Sequence, residues 1–147
     1  MHTGRDQDVL IRQANAADAP ALATLLGQLG YPAEAGAVES RLEALRVVGD
    51  SVVVAELDGI VVGLAHLQVT PALEYDRPAA KIAALAVDES RRGEGIGRAL
   101  VEEMEREARA RGCVLLYLTT AERREDAHAF YGRIGLEHTG RRYGKRL

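Results

Sequence analysis

Residues 19–29 place leucines at Leu22, Leu25, Leu26 and Leu29, the spacing of one apolar stripe along a helix. Asp18 offers this helix an N-terminal cap, and Gly30-Tyr31-Pro32 stops it. A second helix is predicted over Ala35 to Arg46, with Val38, Leu42 and Leu45 inward. The pattern then turns strand-like. Ser51 to Leu57 is β-branched, Asp58-Gly59 is a two-residue hairpin signal, and Ile60 to Thr70 returns as the partner strand. Thr70 to Ala80 contains Pro71 and Pro78 and reads as a loop. Lys81 to Val87 is nearly continuous apolar, which predicts a central buried strand. Ile96 to Arg111 carries the clearest helical pattern, with Ile96, Leu100, Met104 and Ala108 on one face. Its wet face sets Glu102 against Arg106, Glu105 against Arg109 and Glu107 against Arg111. Gly112 ends it. Val114 to Thr119 is predicted as another buried strand and Glu125 to Ile134 as a helix stopped by Gly135. Leu136 to His138 and Arg141 to Lys145 are predicted to form a closing hairpin around Gly140.

With Val9 to Gln13 as the opening strand, the order is β-α-α-β-β-β-α-β-α-β-β. That is an α/β fold (α+β by some schemes), a mixed sheet with helices on both faces. The length of 147 residues suits one domain, residues 1–147, with 1–8 expected to be a flexible N-terminus. A net charge of −3, from 19 basic and 22 acidic residues, gives no global field toward nucleic acid or an anionic membrane. No apolar run approaches the roughly 20 residues of a bilayer span, and Met1 to Asp8 lacks an apolar signal core. A cytoplasmic location is the resulting expectation. Cys113 stands alone, so no internal disulfide is available. His2, His66, His128 and His138 lack metal-ligand spacing, so no metal is expected. Arg141, Arg142, Lys145 and Arg146 read as the wet face of a strand, offset by Glu122, Glu125 and Asp126, rather than as a nucleic-acid surface.

The chemistry concentrates in Arg92-Gly93-Glu94-Gly95-Ile96-Gly97, between the apolar strand and the clearest helix. The first N–H groups of a helix lack internal partners and the helix dipole adds positive potential, so a glycine loop entering a helix is an anion site. Glycine lets the backbone pass close to a phosphate, and Arg91 and Arg92 add charge. Spacing separates the loops of this kind. A P-loop requires Lys and then Ser or Thr, whereas Arg98 and Ala99 follow Gly97. A dinucleotide fingerprint counted from Gly93 or Gly95 would need a third glycine where Arg98 or Leu100 stands. The acid expected further on is missing from Cys113 to Thr120.

The loop instead matches the (Q/R)xxGx(G/A) motif, and the chain resembles the GNAT superfamily of N-acetyltransferases over nearly its whole length. Ile82 to Val87 looks like that family's fourth strand. Ala127-His128-Ala129-Phe130-Tyr131-Gly132-Arg133-Ile134-Gly135-Leu136 resembles its FYxxxGF element, and Gly140 to Lys145 its last strand. The resemblance implies a mostly antiparallel sheet of six to seven strands with about four helices. It also implies acetyl-CoA as cosubstrate and direct attack of a small molecule's primary amine on the thioester. Backbone groups of Leu85, Ala86 and Val87 would pair with the pantetheine arm, in a gap where the fourth strand splays from the fifth. Arg92, Gly93, Glu94, Gly95, Ile96, Gly97 and Arg98 would hold the pyrophosphate, and Tyr131 would be the general acid toward the CoA sulfur. A homodimer is the assembly that relatives suggest.

One departure stands out. Where many relatives carry a glutamate on the fourth strand, this chain has Ala83. Glu74, His66, His128 or a water relay remain as routes for the amine's proton. A non-catalytic CoA-binding module and acetylation of a protein amine stay open as alternatives. Cys113 has no neighbouring His or carboxylate in sequence and reads as a small buried hydrophobe, not an acyl carrier. The acceptor is expected between the helical segment Asp18 to Arg46, the loop Thr70 to Ala80 and the C-terminal hairpin.

Overall fold

The structure, a computed structural model, describes residues 8–119, 125–140 and 143–147. Its elements are β1 (Leu10–Gln13), α1 (Ala19–Leu29), α2 (Ala35–Val47), β2 (Ser51–Leu57), β3 (Ile60–Thr70), β4 (Ala79–Val87), α3 (Ile96–Ala110), β5 (Leu115–Leu118) and α4 (Glu125–Arg133). They build one sheet in the order β1-β2-β3-β4-β5. The first four strands are antiparallel, and β5 lies parallel to β4 after the α3 crossover. At the β2–β3 turn both Asp58 (φ 51) and Gly59 (φ 79) are left-handed, the backbone a two-residue hairpin requires. No helix among the described residues is long and apolar enough to cross a membrane.

Each face of the sheet buries its own helices. Ile96, Leu100, Met104 and Ala108 of α3 pack on Val53, Val62, Leu67 and Ile82. Leu22 and Leu25 of α1, with Val38 of α2, pack on Val54, Leu64 and Ala86 from the other side. Gly63 lets α3 come this close. A Cβ there would meet Leu100 Cδ1 at 3.0 Å, the Ala86 carbonyl at 3.2 Å and Ile96 Cγ2 at 3.2 Å.

A β-bulge in β4 organises everything that follows. Ala84 pairs with His66 and Ile82 with Leu67, so Ala83 has no partner on β3 and stands exposed. One extra residue reverses the alternation of faces. Before the bulge, Ala80 and Ile82 face α3; after it, Leu85 and Val87 do, and Ala84 and Ala86 turn to the α1–α2 side. Pairing of β4 with β5 stops at the same point, Ile82 opposite Leu118. Among the described residues, the β5-side edge of Ala83–Val87 therefore has no strand beside it.

Several expectations are corrected. The sheet has five strands among the described residues, not six to seven. Leu136–His138 forms no strand, and neither do residues 143–145; Arg141 and Arg142 lie outside the described residues, as does 1–7 of the expected flexible N-terminus. The tail has little apolar surface to bury. Tyr143 is 90% exposed, and the Leu136 N–H donates back to the Tyr131 carbonyl at 3.0 Å, which curls the chain over the end of α4. β5 is not a buried strand. Leu116 and Leu118 reach the α3 core, but Leu115 and Tyr117 are 43% and 40% exposed, because neither α1 nor α2 extends over this end of the sheet. Asp18 does not cap α1 with its side chain. Asn15 caps the short turn Ala16–Asp18, while buried Asp18 accepts two hydrogen bonds from Arg12, both 2.9 Å. That guanidinium holds the Asp18 carboxyl below the usual carboxylate range. On α3, Arg106 pairs with Glu103 at 2.6 Å instead of Glu102, since a side chain three residues back is as near as one four back.

Candidate functional site

Two clefts open beside the unpaired end of β4, and Tyr131 is the one described residue that lines both. The first encloses about 470 Å³. Its floor is Leu85, Ala86 and Val87, its end is the glycine loop, and its walls are Leu25, Gln28 and Leu29 of α1 with Phe130 and Tyr131 of α4 and Ile134 just after it. Backbone N–H and C=O groups at an unpaired sheet edge accept any extended partner that offers matching groups.

The glycine loop is shaped for an anion. Gly93 (φ 84) and Gly95 (φ 86) are both left-handed, which turns the chain sharply into α3. The Ala99 N–H bonds to the Gly95 carbonyl at 3.1 Å, so the amides of Ile96, Gly97 and Arg98 precede the first helical hydrogen bond. No acidic residue occupies the first turn of α3. Arg92 and Arg98 line the cleft and form no ion pair among the described residues, whereas Arg91 lies 3.6 Å from Glu94. The result is concentrated positive potential beside free N–H groups.

Gln28 fixes the loop to α1. Its side-chain amide donates to Asp88 Oδ1 at 3.1 Å, and its carbonyl accepts the Glu89 N–H at 2.9 Å. Ser90 Oγ donates to the other Asp88 oxygen at 2.9 Å. The bond from Gln28, then that from Ser90, holds the Asp88 carboxyl below its ordinary value. Gly97 serves packing. A Cβ there would sit 3.1 Å from the Phe130 ring, so only glycine lets α4 lie this close to the start of α3. Phe130 in turn stacks edge-on with Tyr131 at 5.5 Å between ring centres.

The second cleft is larger, about 930 Å³. It lies on the face of β4 and β5 opposite α3, over Ala79, Lys81, Leu115 and Tyr117. Thr70 to Tyr75 forms one wall, and His128, Tyr131, Gly132 and the turn Gly135 to Gly140 form the other. His128 and His138 face each other with ring centres 6.5 Å apart. Nothing from Asp18 to Arg46 lines this cleft; that segment's Leu25, Gln28 and Leu29 line the first.

The structure thus gathers Leu85, Ala86, Val87, Arg92, Gly93, Gly95, Ile96, Gly97, Arg98 and Tyr131 into the lining of one cleft. Glu94 is left out, its carboxylate turned to Arg91. Of the candidate bases, Glu74 and His128 line the second cleft. His66 lines neither; its Nε2 lies 2.9 Å from Asp50 Oδ2, both side chains nearly buried. Gln28 and Lys81 are missed by sequence reasoning. Nothing marks a glutamine at a helix end, and Lys81 passes for the polar start of a strand. Gly63 carries a readable signal, a glycine in the middle of a β-branched strand.

A family model described as the Acetyltransferase (GNAT) family matches residues 21–136. Over 90 residues the chain is 37% identical to the aminoalkylphosphonate N-acetyltransferase of Salmonella typhimurium, a match covering 61% of this chain and 58% of that protein. Among solved structures, a transcriptional regulator of Bacillus halodurans is similar with a TM-score of 0.87 and 26% identity, covering 95% of this chain and all of the other. A Trypanosoma brucei acetyltransferase is similar with a TM-score of 0.83, also at 26% identity and over 95% of this chain.

Proposed function

The chain belongs to the Acetyltransferase (GNAT) family, and on that premise we propose that it transfers the acetyl group of acetyl-CoA to the primary amine of a small molecule. The observation that carries the reading is the position of Tyr131 at the seam of two clefts. A donor in the first and an acceptor in the second would meet at its phenol. The first cleft suits the donor. The open edge of Leu85 to Val87 fits an amide-bearing arm, and the Gly93–Gly97 backbone with Arg92 and Arg98 fits a pyrophosphate. The second cleft, at about 930 Å³, has the volume of a small-molecule site. Its presence favours catalysis over a module that only binds CoA, and its volume suits a small amine.

Acetyl-CoA supplies an activated acyl group: the N–C bond forms as the C–S bond breaks, and CoA leaves as the thiol. The protein's own tasks are positional and protic. Backbone N–H groups near Leu85 to Val87 stabilise negative charge on the carbonyl oxygen. Tyr131 donates a proton, or a hydrogen bond, to the leaving sulfur. The acceptor's ammonium loses its proton within the second cleft, toward Glu74 or His128 directly or through water. Ala83, bulged and exposed, contributes only backbone shape to this scheme. The relative from Salmonella is named for acceptors that combine an amine with a phosphonate, and small amino acids bearing an acidic group are the acceptors we place first. Thiol release from acetyl-CoA across a panel of small amines, with mass detection of the acetylated product, tests the reading. Tight CoA binding without turnover of any amine would replace it with a non-catalytic role.

A further inference from the structure

Lys81 stands on the floor of the second cleft in an unusual setting. The bulge at Ala83 puts it on the face away from α3, opposite Gln68 on β3 and Tyr117 on β5. It is half-buried, and it makes no hydrogen bond or ion pair among the described residues. Ala79, Leu115, Pro71 and Leu73 around the same cleft are apolar. A partly desolvated ammonium without a counter-ion is costly, and an anionic ligand would remove that cost. The carboxylates in the cleft are elsewhere, on the loop at Glu74 and after α4 at Glu137. The cleft is therefore bipolar, with a cation on the sheet and carboxylates on its walls.

We infer that Lys81 docks an anionic group of the acceptor, so that the preferred acceptor carries a primary amine at one end and an acid at the other. This rests on the reading of the second cleft as the acceptor site. Lys81 lines only the second cleft, whereas Leu85 lines the first, so Lys81 selects among acceptors without touching the reacting atoms.

The test compares acceptors matched in their amine and chain length and differing in the far group: phosphonate, carboxylate or methyl. Steady-state kinetics are run beside equilibrium binding of the same compounds to the CoA-loaded protein. In the natural chain, kcat/KM favours the acidic acceptors by roughly 10- to 100-fold, the range of a charge-assisted hydrogen bond. Lys81→Met reduces that ratio to near one, chiefly through KM, and Lys81→Arg restores part of it. The relative response of phosphonate and carboxylate identifies the acid. CoA affinity and melting temperature report the fold of each variant, and Lys81→Gln replaces Lys81→Met should the latter fail to fold. Equal use of acidic and neutral amines by the natural chain, or a preference that survives Lys81→Met, overturns the proposal and leaves the transferase reading intact. Absence of turnover with every amine overturns the transferase reading instead. Binding then decides the role of Lys81: tighter binding of the acids that Lys81→Met abolishes supports it, and equal binding of acids and neutral amines removes it.

Discussion

The cleft beside Leu85–Val87 is built mainly from backbone, whereas the cleft over Lys81 and Tyr117 is built mainly from side chains. In the first, the recognition groups are an unpaired strand edge, two left-handed glycines and the first amides of α3. Such groups are held by secondary structure and recognise a ligand common to every reaction of one type. In the second, the groups are Glu74, Lys81, Tyr117, His128, Glu137 and His138, carried by two strands, a loop, α4 and the turn after it. They can change one at a time without disturbing the fold, which suits a site that distinguishes one acceptor from another. The contrast yields distinct expectations: damage to the first cleft removes binding of the donor, and damage to the second alters which acceptor is used.

The largest expected effect tests the backbone-built side. Gly95→Asp has room for its Cβ, with nothing within 4 Å, so the fold survives at the cost of a left-handed strain of roughly 1–2 kcal/mol. Its carboxylate would face the phosphate position. Like charges about 4 Å apart at an effective dielectric of about 20 repel by roughly 4 kcal/mol, which weakens CoA binding about 10³-fold. Calorimetry measures this, and an unchanged Kd would remove the loop from the donor site. Next in size is the residue both clefts share. Tyr131→Phe keeps the ring against Phe130 and is expected to lower kcat about 10²-fold while CoA affinity stays within a few-fold. Unchanged kcat would return Tyr131 to packing alone.

The same contrast explains what was legible in the sequence. The loop at the end of the first cleft is legible because left-handed turns demand glycine, so Gly93 and Gly95 announce its shape. The helices were readable because α3 repeats Ile96, Leu100, Met104 and Ala108 on one face, and all four are buried. The second cleft is not legible, because its residues come from five separate segments that only the fold brings together. The bulge escaped as well. In Ala83-Ala84-Leu85-Ala86 nothing distinguishes an unpaired residue from a paired one, yet it decides that Lys81 faces the cleft. The charge alternation of the C-terminal segment predicts a hairpin, but Leu136–His138 and residues 143–145 form no strand, and Tyr143 offers little apolar surface to bury.

Gly97 sharpens the comparison from inside the motif, because its role here is contact with a side chain. Gly97→Ala forces the Phe130 ring from its 3.1 Å approach. Overpacking of this kind costs about 1–3 kcal/mol, seen as a lower melting temperature. Since α4 carries Phe130 and Tyr131 together, kcat should fall along with stability. Lost CoA affinity with unchanged stability would instead make Gly97 a pure phosphate contact.

The smallest effect tests whether the backbone-built cleft depends on the side chain by which α1 holds its loop. Gln28→Ala removes two hydrogen bonds, to Asp88 and from Glu89. At about 1 kcal/mol of net loss, CoA affinity should fall roughly five-fold. The pH dependence of stability carries more information. The Asp88 carboxyl is held low in the folded protein, first by Gln28 and then by Ser90. A depressed carboxyl gives its stabilisation in full above the unfolded value near 3.9 and loses it as pH falls through the folded value. The folded protein should therefore keep this contribution to its stability near neutrality and lose it in acid, below a pH of about 4. In Gln28→Ala the main cause of the depression is gone, so less stability is lost on acidification, and the melting temperatures of the two proteins converge as pH falls. A difference in melting temperature that does not shrink in acid would mean that Gln28 does not hold the loop through Asp88.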